Sequence, residues 1–273
     1  MTTSSPHVGL LVTCLVDTIR PEIGFATLKL LEDAGCTVSV PETQTCCGQP
    51  GLNSGAREES IPLAKQVIRA FRRFDYVVAP SGSCLGTVKT HYPELFADDP
   101  DWLAEAEDLA SRSYEILSFL HDVCGWQPRD VQYEGIATYH HTCSGLRELG
   151  VYEQPAALLG RVDGLTMVPL EGETSCCGFG GTFAVKYADI SNAIVSDKTR
   201  QIEATKADTL LAADLGCLMN MAGKLSREGR GDIRVFHPVE VLAGMAGGTG
   251  IGGSGGNDGS TGGRQRLSLI HIS

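Results

Sequence analysis

Eight of the ten cysteines in this 273-residue chain fall into two sets with matching spacing. Each set holds two adjacent cysteines followed by glycine, with one cysteine far upstream and another far downstream. The upstream gaps are 32 residues (14 to 46) and 33 residues (143 to 176), and the downstream gaps are 37 (47 to 84) and 40 (177 to 217). The first quartet is Cys14, Cys46, Cys47 and Cys84, and the second quartet is Cys143, Cys176, Cys177 and Cys217.

The sequence around the cysteines repeats as well. A β-rich run precedes the first cysteine of each quartet (HVGLLVTC and GIATYHHTC), and another precedes the last (YVVAPSGSC and TLLAADLGC). Similarity of this kind at a fixed offset is the signature of an internal duplication. We therefore expect two halves that share one fold, each carrying one quartet.

Four thiolates suit either a tetrahedral zinc ion or an iron–sulfur cluster. Zinc sites built from one chain usually contain short C-x₂₋₄-C pairs, and this sequence has no C-x-x-C pair. Adjacent side chains diverge in extended structure, so a vicinal pair suits a cluster several ångströms across better than a single ion. Gly48 and Gly178 allow the backbone to turn sharply beneath such a group. The pattern favours iron–sulfur clusters, with zinc as an alternative at one site.

Charge and composition limit the partners and the compartment. The formal net charge is −11 and no cluster of Lys or Arg occurs, which argues against binding to nucleic acid or to an anionic membrane. The N-terminal segment lacks the basic region of a signal peptide, and its apolar run at 8–16 is too short to be a transmembrane segment. We expect a cytoplasmic protein, in which reduced thiols favour metal binding over disulfides.

The elements that must position the cysteines alternate between strand and helix in both halves. The first half is predicted to contain strands at 8–12, 37–40 and 76–79 and helices at 21–35 and 60–74. The second half is predicted to contain strands at 136–139, 165–168, 209–213 and 233–235 and helices at 153–160, 189–206 and after Pro238. This order predicts a duplicated α/β fold with two parallel-sheet halves related by a pseudo-twofold axis. The cysteines follow strands, so each quartet should gather where the carboxyl ends of its strands meet.

Four segments are predicted. They are a first cysteine-rich half at 1–98, a linking helix at 99–128 that starts at Asp99, a second cysteine-rich half at 129–246 and a disordered glycine-rich tail at 247–273. The closing run RLSLIHIS resembles translated sequencing-adaptor read-through, so we expect a non-native end and leave it out of the fold and function.

The runs TCLVD, TCCGQP, YVVAPSGSC, CCGFGGTFAVK and GCLMN occur in this order across residues 8–245. Together they resemble the lactate utilization protein A family of CCG cysteine-rich domain proteins. This family is related to the CCG-containing component of heterodisulfide reductase and to the iron–sulfur subunit of glycolate oxidase. The resemblance covers nearly the whole chain before the glycine-rich tail, and a string of ordered motifs is far more specific than one CCG.

The resemblance implies an oxidoreductase subunit that transfers electrons while L-lactate is oxidised to pyruvate. It implies up to two [4Fe-4S] clusters bound by the first and second quartets, and two partner proteins, one of them ferredoxin-like. Heterodisulfide reductases contribute a further cysteine three residues before the last ligand, where this chain has Ser81 and Asp214. Four thiolates per half leave room for a cubane cluster, whereas the non-cubane cluster of those enzymes needs a fifth.

Two other functions remain open at this point: a thiol–disulfide redox subunit of the heterodisulfide reductase type, and a structural subunit that binds zinc. His140 and His141 precede Cys143 closely enough to donate a hydrogen bond to a cluster sulfur, or they are ordinary polar residues of a strand end. Cys36 and Cys124 lie outside the repeated pattern, and buried free cysteine commonly packs as a small apolar residue.

Overall fold

The structure is a computed structural model that describes residues 5–248 and 250–252. These residues form two four-stranded sheets in which all strand pairs are parallel. The first sheet contains β1 (His7–Leu10), β2 (Thr37–Ser39), β3 (Tyr76–Ala79) and β4 (Ser113–Glu115), in the order β2-β1-β3-β4. The second contains β5 (Gln132–Tyr139), β6 (Asp163–Val168), β7 (Thr209–Leu211) and β8 (Arg234–Phe236), in the order β6-β5-β7-β8. The matching orders confirm the duplicated α/β fold.

Helices and helical turns connect the strands. In the first half they are α1 (Cys14–Ile19), α2 (Pro21–Asp33), α3 (Gln49–Leu52), α4 (Arg57–Phe71), α5 (Gly82–Gly86), α6 (Tyr92–Leu95), α7 (Pro100–Ser111) and α8 (Ile116–Ser118). In the second half they are α9 (Cys143–Arg147), α10 (Glu153–Leu159), α11 (Phe183–Lys186), α12 (Ala188–Ala204), α13 (Leu215–Arg227) and α14 (Pro238–Leu242). Two π-helical turns, Thr87–His91 and Phe119–Val123, complete the first half.

The alternation of side chains along a strand explains how both faces of each sheet are covered. Val8 and Leu10 of β1 belong to a core that also contains Ala137 of β5 and Phe236 of β8, so this core joins the two halves. Leu11, which points the other way, packs with α4 in a core of the first half. A corresponding core lies on the far face of the second sheet. The helix predicted at 60–74 is α4, and its apolar residues Ala64, Val67, Ile68 and Phe71 are buried.

The prediction of one continuous linking helix at 99–128 is wrong. Helix α7 ends at Ser111, and the chain then adds β4 to the edge of the first sheet, with Tyr114 paired to Val78. Ile116 and Leu120, whose spacing suggested a continuous helix, enter the core between the halves instead. Pairing with β3 therefore overrides the local helical pattern. The segment boundaries at 98 and 128 stay a prediction.

A buried salt bridge between Arg20 and Glu240 is one of the polar contacts that join the halves. Arg20, between α1 and α2, donates from Nε to Glu240 of α14 at 2.9 Å, and its Nη2 lies 2.7 Å from the same carboxylate oxygen. Glu240 is fully buried and also accepts from the backbone N–H of His237 at 2.9 Å. Burial raises the pKa of Glu240, and the Arg20 guanidinium opposes that rise. Removing either member of such a buried pair leaves the other without compensation.

Glu115 is a second buried acid at the interface. Its Oε2 accepts from the backbone N–H groups of Leu117 at 2.8 Å and Ser118 at 3.2 Å, which caps α8. Within the described residues, its Oε1 has no hydrogen-bond partner. Burial raises the pKa of the Tyr139 phenol on β5, and the nearby charge of Glu115 raises it further. Glu115 is therefore an acid enclosed by both halves.

The predicted tail at 247–273 lies largely outside the described residues. Its described part stays attached to the second sheet, because Ile251 donates its N–H to the Val235 carbonyl at 2.8 Å. No helix in the described part of the chain has both the length and the apolar character needed to cross a bilayer.

Candidate metal centres

The first quartet gathers beside the carboxyl ends of β1, β2 and β3. Cys14 is the first residue of α1, Cys46 and Cys47 follow the loop after β2, and Cys84 lies in the first turn of α5. The Cys14 thiol lies 3.9 Å from the Cys46 sulfur. Further thiol contacts join Cys46 to Cys47 and Cys47 to Cys84. The four side chains thus form one continuous cluster of sulfur atoms.

The second quartet repeats this arrangement. Cys143 begins α9 after β5, the vicinal pair follows β6, and Cys217 lies in the first turn of α13 after β7. Thiol contacts run from Cys143 to Cys176, from Cys176 to Cys177 and from Cys177 to Cys217. Both quartets are therefore brought together as the strand order predicted, although each spans more than 70 positions of the sequence.

The contacts between thiols divide each quartet into donors and acceptors. Hydrogen bonds from Cys14 and Cys47 lower the pKa of Cys46 to about 2, and hydrogen bonds from Cys143 and Cys177 lower the pKa of Cys176 to about 2. The backbone N–H of the following glycine assists in both cases, and at Gly178 it lies 3.2 Å from the Cys176 sulfur. One sulfur in each quartet is thus stabilised as a thiolate, the form that binds metals.

Each vicinal pair is held by a side chain from a helix behind it. The Tyr92 hydroxyl donates to the Cys47 carbonyl, and the Asn220 amide donates to the Cys177 carbonyl, both at 2.8 Å. Tyr92 is fully buried, so this bond is shielded from water. The two residues differ in type and in position, but they bind equivalent carbonyls and so hold the backbone that carries the sulfur atoms.

The predicted turns at Gly48 and Gly178 are left-handed, with φ of 84° and 82°. A side chain disfavours this conformation by about 1–2 kcal/mol. The surroundings differ: a Cβ at Gly178 would lie 2.7 Å from the Ser191 carbonyl oxygen, whereas at Gly48 the nearest atom would be 3.8 Å away.

We therefore expect G178A to destabilise the protein by about 2–4 kcal/mol and G48A by only about 1–2 kcal/mol, since only G178A adds a backbone clash. Urea denaturation of the two variants and the parent chain measures this difference. Equal losses would contradict it.

The two quartets border neighbouring cavities of about 240 Å³ and 170 Å³. Gln49, Ser83, Phe179, Gly181 and Asp214 line both cavities, so the sites lie side by side at the junction of the halves. Asp214 binds across this junction: its Oδ2 accepts from the Ser81 hydroxyl at 3.0 Å and from the Ser83 N–H at 3.1 Å. Ser81 and Asp214 also cap α5 and α13.

The structure separates the two predicted histidines. A ring nitrogen of His140 and the sulfurs of Cys177 and Cys217 all lie within 4.8 Å of one another. His140 is fully buried, its ring nitrogens have no hydrogen-bond partner among the described residues, and burial lowers its pKa to about 3. His141 instead stacks on Tyr152 at 4.7 Å between ring centres. His140 is thus the histidine placed to act on the second quartet.

Sequence reasoning missed the helices that carry the single cysteines. Thr13, Ser81, Thr142 and Asp214 each accept a backbone N–H at the start of these helices. A Ser, Thr or Asp one to three residues before each single cysteine was the available signal. The buried Lys198 was also missed, because a lysine on a helix is ordinarily solvent-exposed. Cys36 and Cys124, outside both quartets, contact each other.

The donor set fits the two groups that the sequence predicted. Four thiols in contact, next to a cavity, suit an iron–sulfur cluster, because its inorganic core requires several thiolates around one space. Zinc also fits the second site, where His140 adds an imidazole to the sulfur atoms. All eight predicted cysteines are therefore available as ligands, four for each site.

Comparison with known proteins gives the family. The model of the CCG cysteine-rich domain family matches residues 8–89 and 137–222. Lactate utilization protein A of Geobacillus kaustophilus is 49% identical over 235 residues, covering 86% of this chain and 98% of that protein. Lactate utilization protein A of Oceanobacillus iheyensis is 46% identical over 235 residues, covering 86% of this chain and 96% of that protein.

A solved structure shares the fold. The crystal structure of a hypothetical protein from Helicobacter pylori aligns with a TM-score of 0.60 at 9% identity, covering 91% of this chain and 52% of that one. At this identity the likeness concerns the fold alone. The two matched regions correspond to the two halves of the fold, and each of them contains one cysteine quartet. The chain belongs to the CCG cysteine-rich domain family and, within it, to the lactate utilization protein A family.

Proposed function

We propose that this chain is a cytoplasmic iron–sulfur subunit that carries electrons in a system oxidising L-lactate to pyruvate. The observation that carries the proposal is the gathering of two complete cysteine quartets at equivalent places in the two halves. The name of the relatives, lactate utilization protein A, supports the metabolic setting. A ferredoxin-like iron–sulfur protein and a third subunit would complete the system.

The first quartet would hold one [4Fe-4S] cluster and the second quartet another. When bound, such a cluster takes up and releases single electrons. Oxidation of lactate to pyruvate releases two electrons and two protons, so two sites match the number of electrons. A two-electron acceptor on a partner subunit would remove them from lactate itself.

The residues around the quartets support this role. The backbone N–H groups of Gly48 and Gly178 are directed at Cys46 and Cys176, and hydrogen bonds to sulfur tune the potential of such sites. The apolar side chains of Leu15, Phe179 and Leu215 line the cavity of the first quartet and limit the access of water to it. With Ser81 and Asp214 at these positions, each site has four thiols, which disfavours the five-thiolate chemistry of heterodisulfide reductases.

A zinc-binding structural subunit is the second candidate, because His140, Cys177 and Cys217 converge in the second half. Anaerobic purification followed by iron, sulfide and zinc analysis separates the two functions. We expect about four iron and four sulfide per occupied site, a brown solution and an electron paramagnetic resonance signal on reduction. A colourless protein with stoichiometric zinc would refute the electron-transfer role.

A further inference from the structure

The two sites have equivalent frameworks but different neighbours. Helix α4 packs on Gly48 through Ser60, and α12 packs on Gly178 through Ser191. Counting seven residues on from each serine gives Val67 in the first half and Lys198 in the second. Both are buried, with exposures of 0% and 1%. A cation in the second half therefore occupies the place of an apolar side chain in the first.

Lys198 binds the loop that leads into the vicinal pair of the second quartet. Its Nζ donates to the Gly172 carbonyl at 2.7 Å, and among the described residues no carboxylate lies within ion-pair distance of it. The charges that act on it most strongly are the four thiols of the second quartet. Burial lowers the pKa of Lys198 and these thiols raise it. Four metal-bound thiolates would hold the lysine in its charged form.

A second difference between the two sites, at His140, also favours reduction of the second quartet. The N–H of Leu11 donates to the Val78 carbonyl at 2.9 Å, and the N–H of His140 donates to the equivalent Leu211 carbonyl at 2.8 Å. His140 thus occupies the place of Leu11, and its unpartnered ring can donate to a sulfur. Hydrogen bonds to sulfur and nearby positive charge both stabilise the reduced state of an iron–sulfur site.

We propose that Lys198, assisted by His140, gives the second quartet the higher reduction potential of the two sites, so that an electron entering the chain comes to rest there. The inference rests on the proposed function, because it needs a cluster in each quartet. One electron leaves a reduced iron–sulfur partner and one is gained at the second site, where it adds to the negative charge of four thiolates. Lys198 offsets that added charge, whereas Val67 cannot.

Two other charges act near the second quartet. Asp214 opposes Lys198 at Cys217. Its carboxylate also lines the cavity of the first quartet and accepts hydrogen bonds from Ser81 and Ser83 of the first half, so it does not act on the second site alone. Arg147 adds a positive charge near Cys143, although it is exposed and screened by solvent.

The test uses single-site proteins, in which C47S leaves the second site and C177S leaves the first. Dithionite titrations, followed by electron paramagnetic resonance, give the potential of each. We expect the second site to be reduced at a higher potential than the first. K198M should lower the potential of the second site by at least about 59 mV, which is a tenfold change in the equilibrium constant for one-electron transfer. K198R should retain the potential, and H140L should lower it by less than K198M. V67M is the matched control and should leave the first site unchanged.

The results separate this inference from the function on which it rests. Iron bound at both sites with equal potentials, or a K198M potential equal to that of the parent, would overturn the inference alone. Circular dichroism and iron content establish whether K198M is folded and contains its cluster. If K198M does not fold, K198R is measured in its place. A lowered potential in K198R would also overturn the inference. Absence of iron from both sites would overturn the proposed function and the inference together.

Discussion

In the C177S variant we expect the second site to lose its metal while the first keeps it, and in C47S we expect the reverse. Cys177 is 2% exposed and contacts both Cys176 and Cys217, so it connects the sulfur atoms of its quartet. Cys47 has the same place in the first quartet and is 4% exposed. A serine hydroxyl is a poor ligand for the soft sites that thiolates form. Each variant should lose about half of its iron and sulfide.

Cys36 and Cys124 provide the control for this experiment. They contact each other outside both quartets, so C36S and C124S remove a thiol without touching either site. Both control variants should keep the full iron content and visible spectrum after anaerobic purification. Loss of all iron from C47S or from C177S would contradict two independent sites, and loss from the controls would show that the quartets are not the ligands.

The second large effect concerns Glu115 and pH. Burial raises the pKa of this carboxyl from its ordinary value of 4.5 to about 8, against the opposing hydrogen bonds from the Ser118 and Leu117 backbone. Between these values the folded chain binds a proton that the unfolded chain has released. Stability contributed by the protonated acid is therefore present below pH 4.5 and is lost as the pH rises toward 8. The full loss is on the order of 5 kcal/mol.

E115Q tests this, because glutamine keeps the oxygen that accepts from Leu117 and Ser118 but cannot ionise. We expect E115Q to gain stability relative to the parent as the pH rises from 6 to 8.5, by a few kcal/mol over the range. Urea denaturation at several pH values, followed by tryptophan fluorescence, measures it. E59Q, which removes an exposed acid at the start of α4, is the charge control. A constant difference between E115Q and the parent would refute the prediction.

The sequence was sufficient to predict which cysteines meet. The carboxyl ends of parallel strands lie at one edge, so cysteines that follow β1, β2 and β3 must converge. The repeat then extended the prediction to the second half. By contrast, β4 was missed because Ile116 and Leu120 have the spacing of a helix, while the pairing of Tyr114 with Val78 depends on distant residues. The internal repeat could have predicted β4, because β8, the equivalent strand of the second half, was predicted.

Other parts of the site depend on contacts that no local pattern encodes. Tyr92 and Asn220 hold equivalent carbonyls from helices whose sequences differ, so the duplication did not reveal them. Lys198 lies on a helix where its charge suggests exposure, and only the packing of α12 on Gly178 turns it inward. The differences between the halves were therefore harder to predict than their similarities.

The hydrogen bond between Ser81 and Asp214 joins equivalent positions of the two halves that hold different residues. In a symmetric dimer of separate, identical chains, a residue beside the twofold axis faces its own copy. Two aspartates there would repel each other, and two serines would leave the N–H of Ser83 without the carboxylate that now accepts from it. Fusion into one polypeptide allows a donor on one side and an acceptor on the other. Joining the copies thus permitted a pairing that identical subunits cannot make.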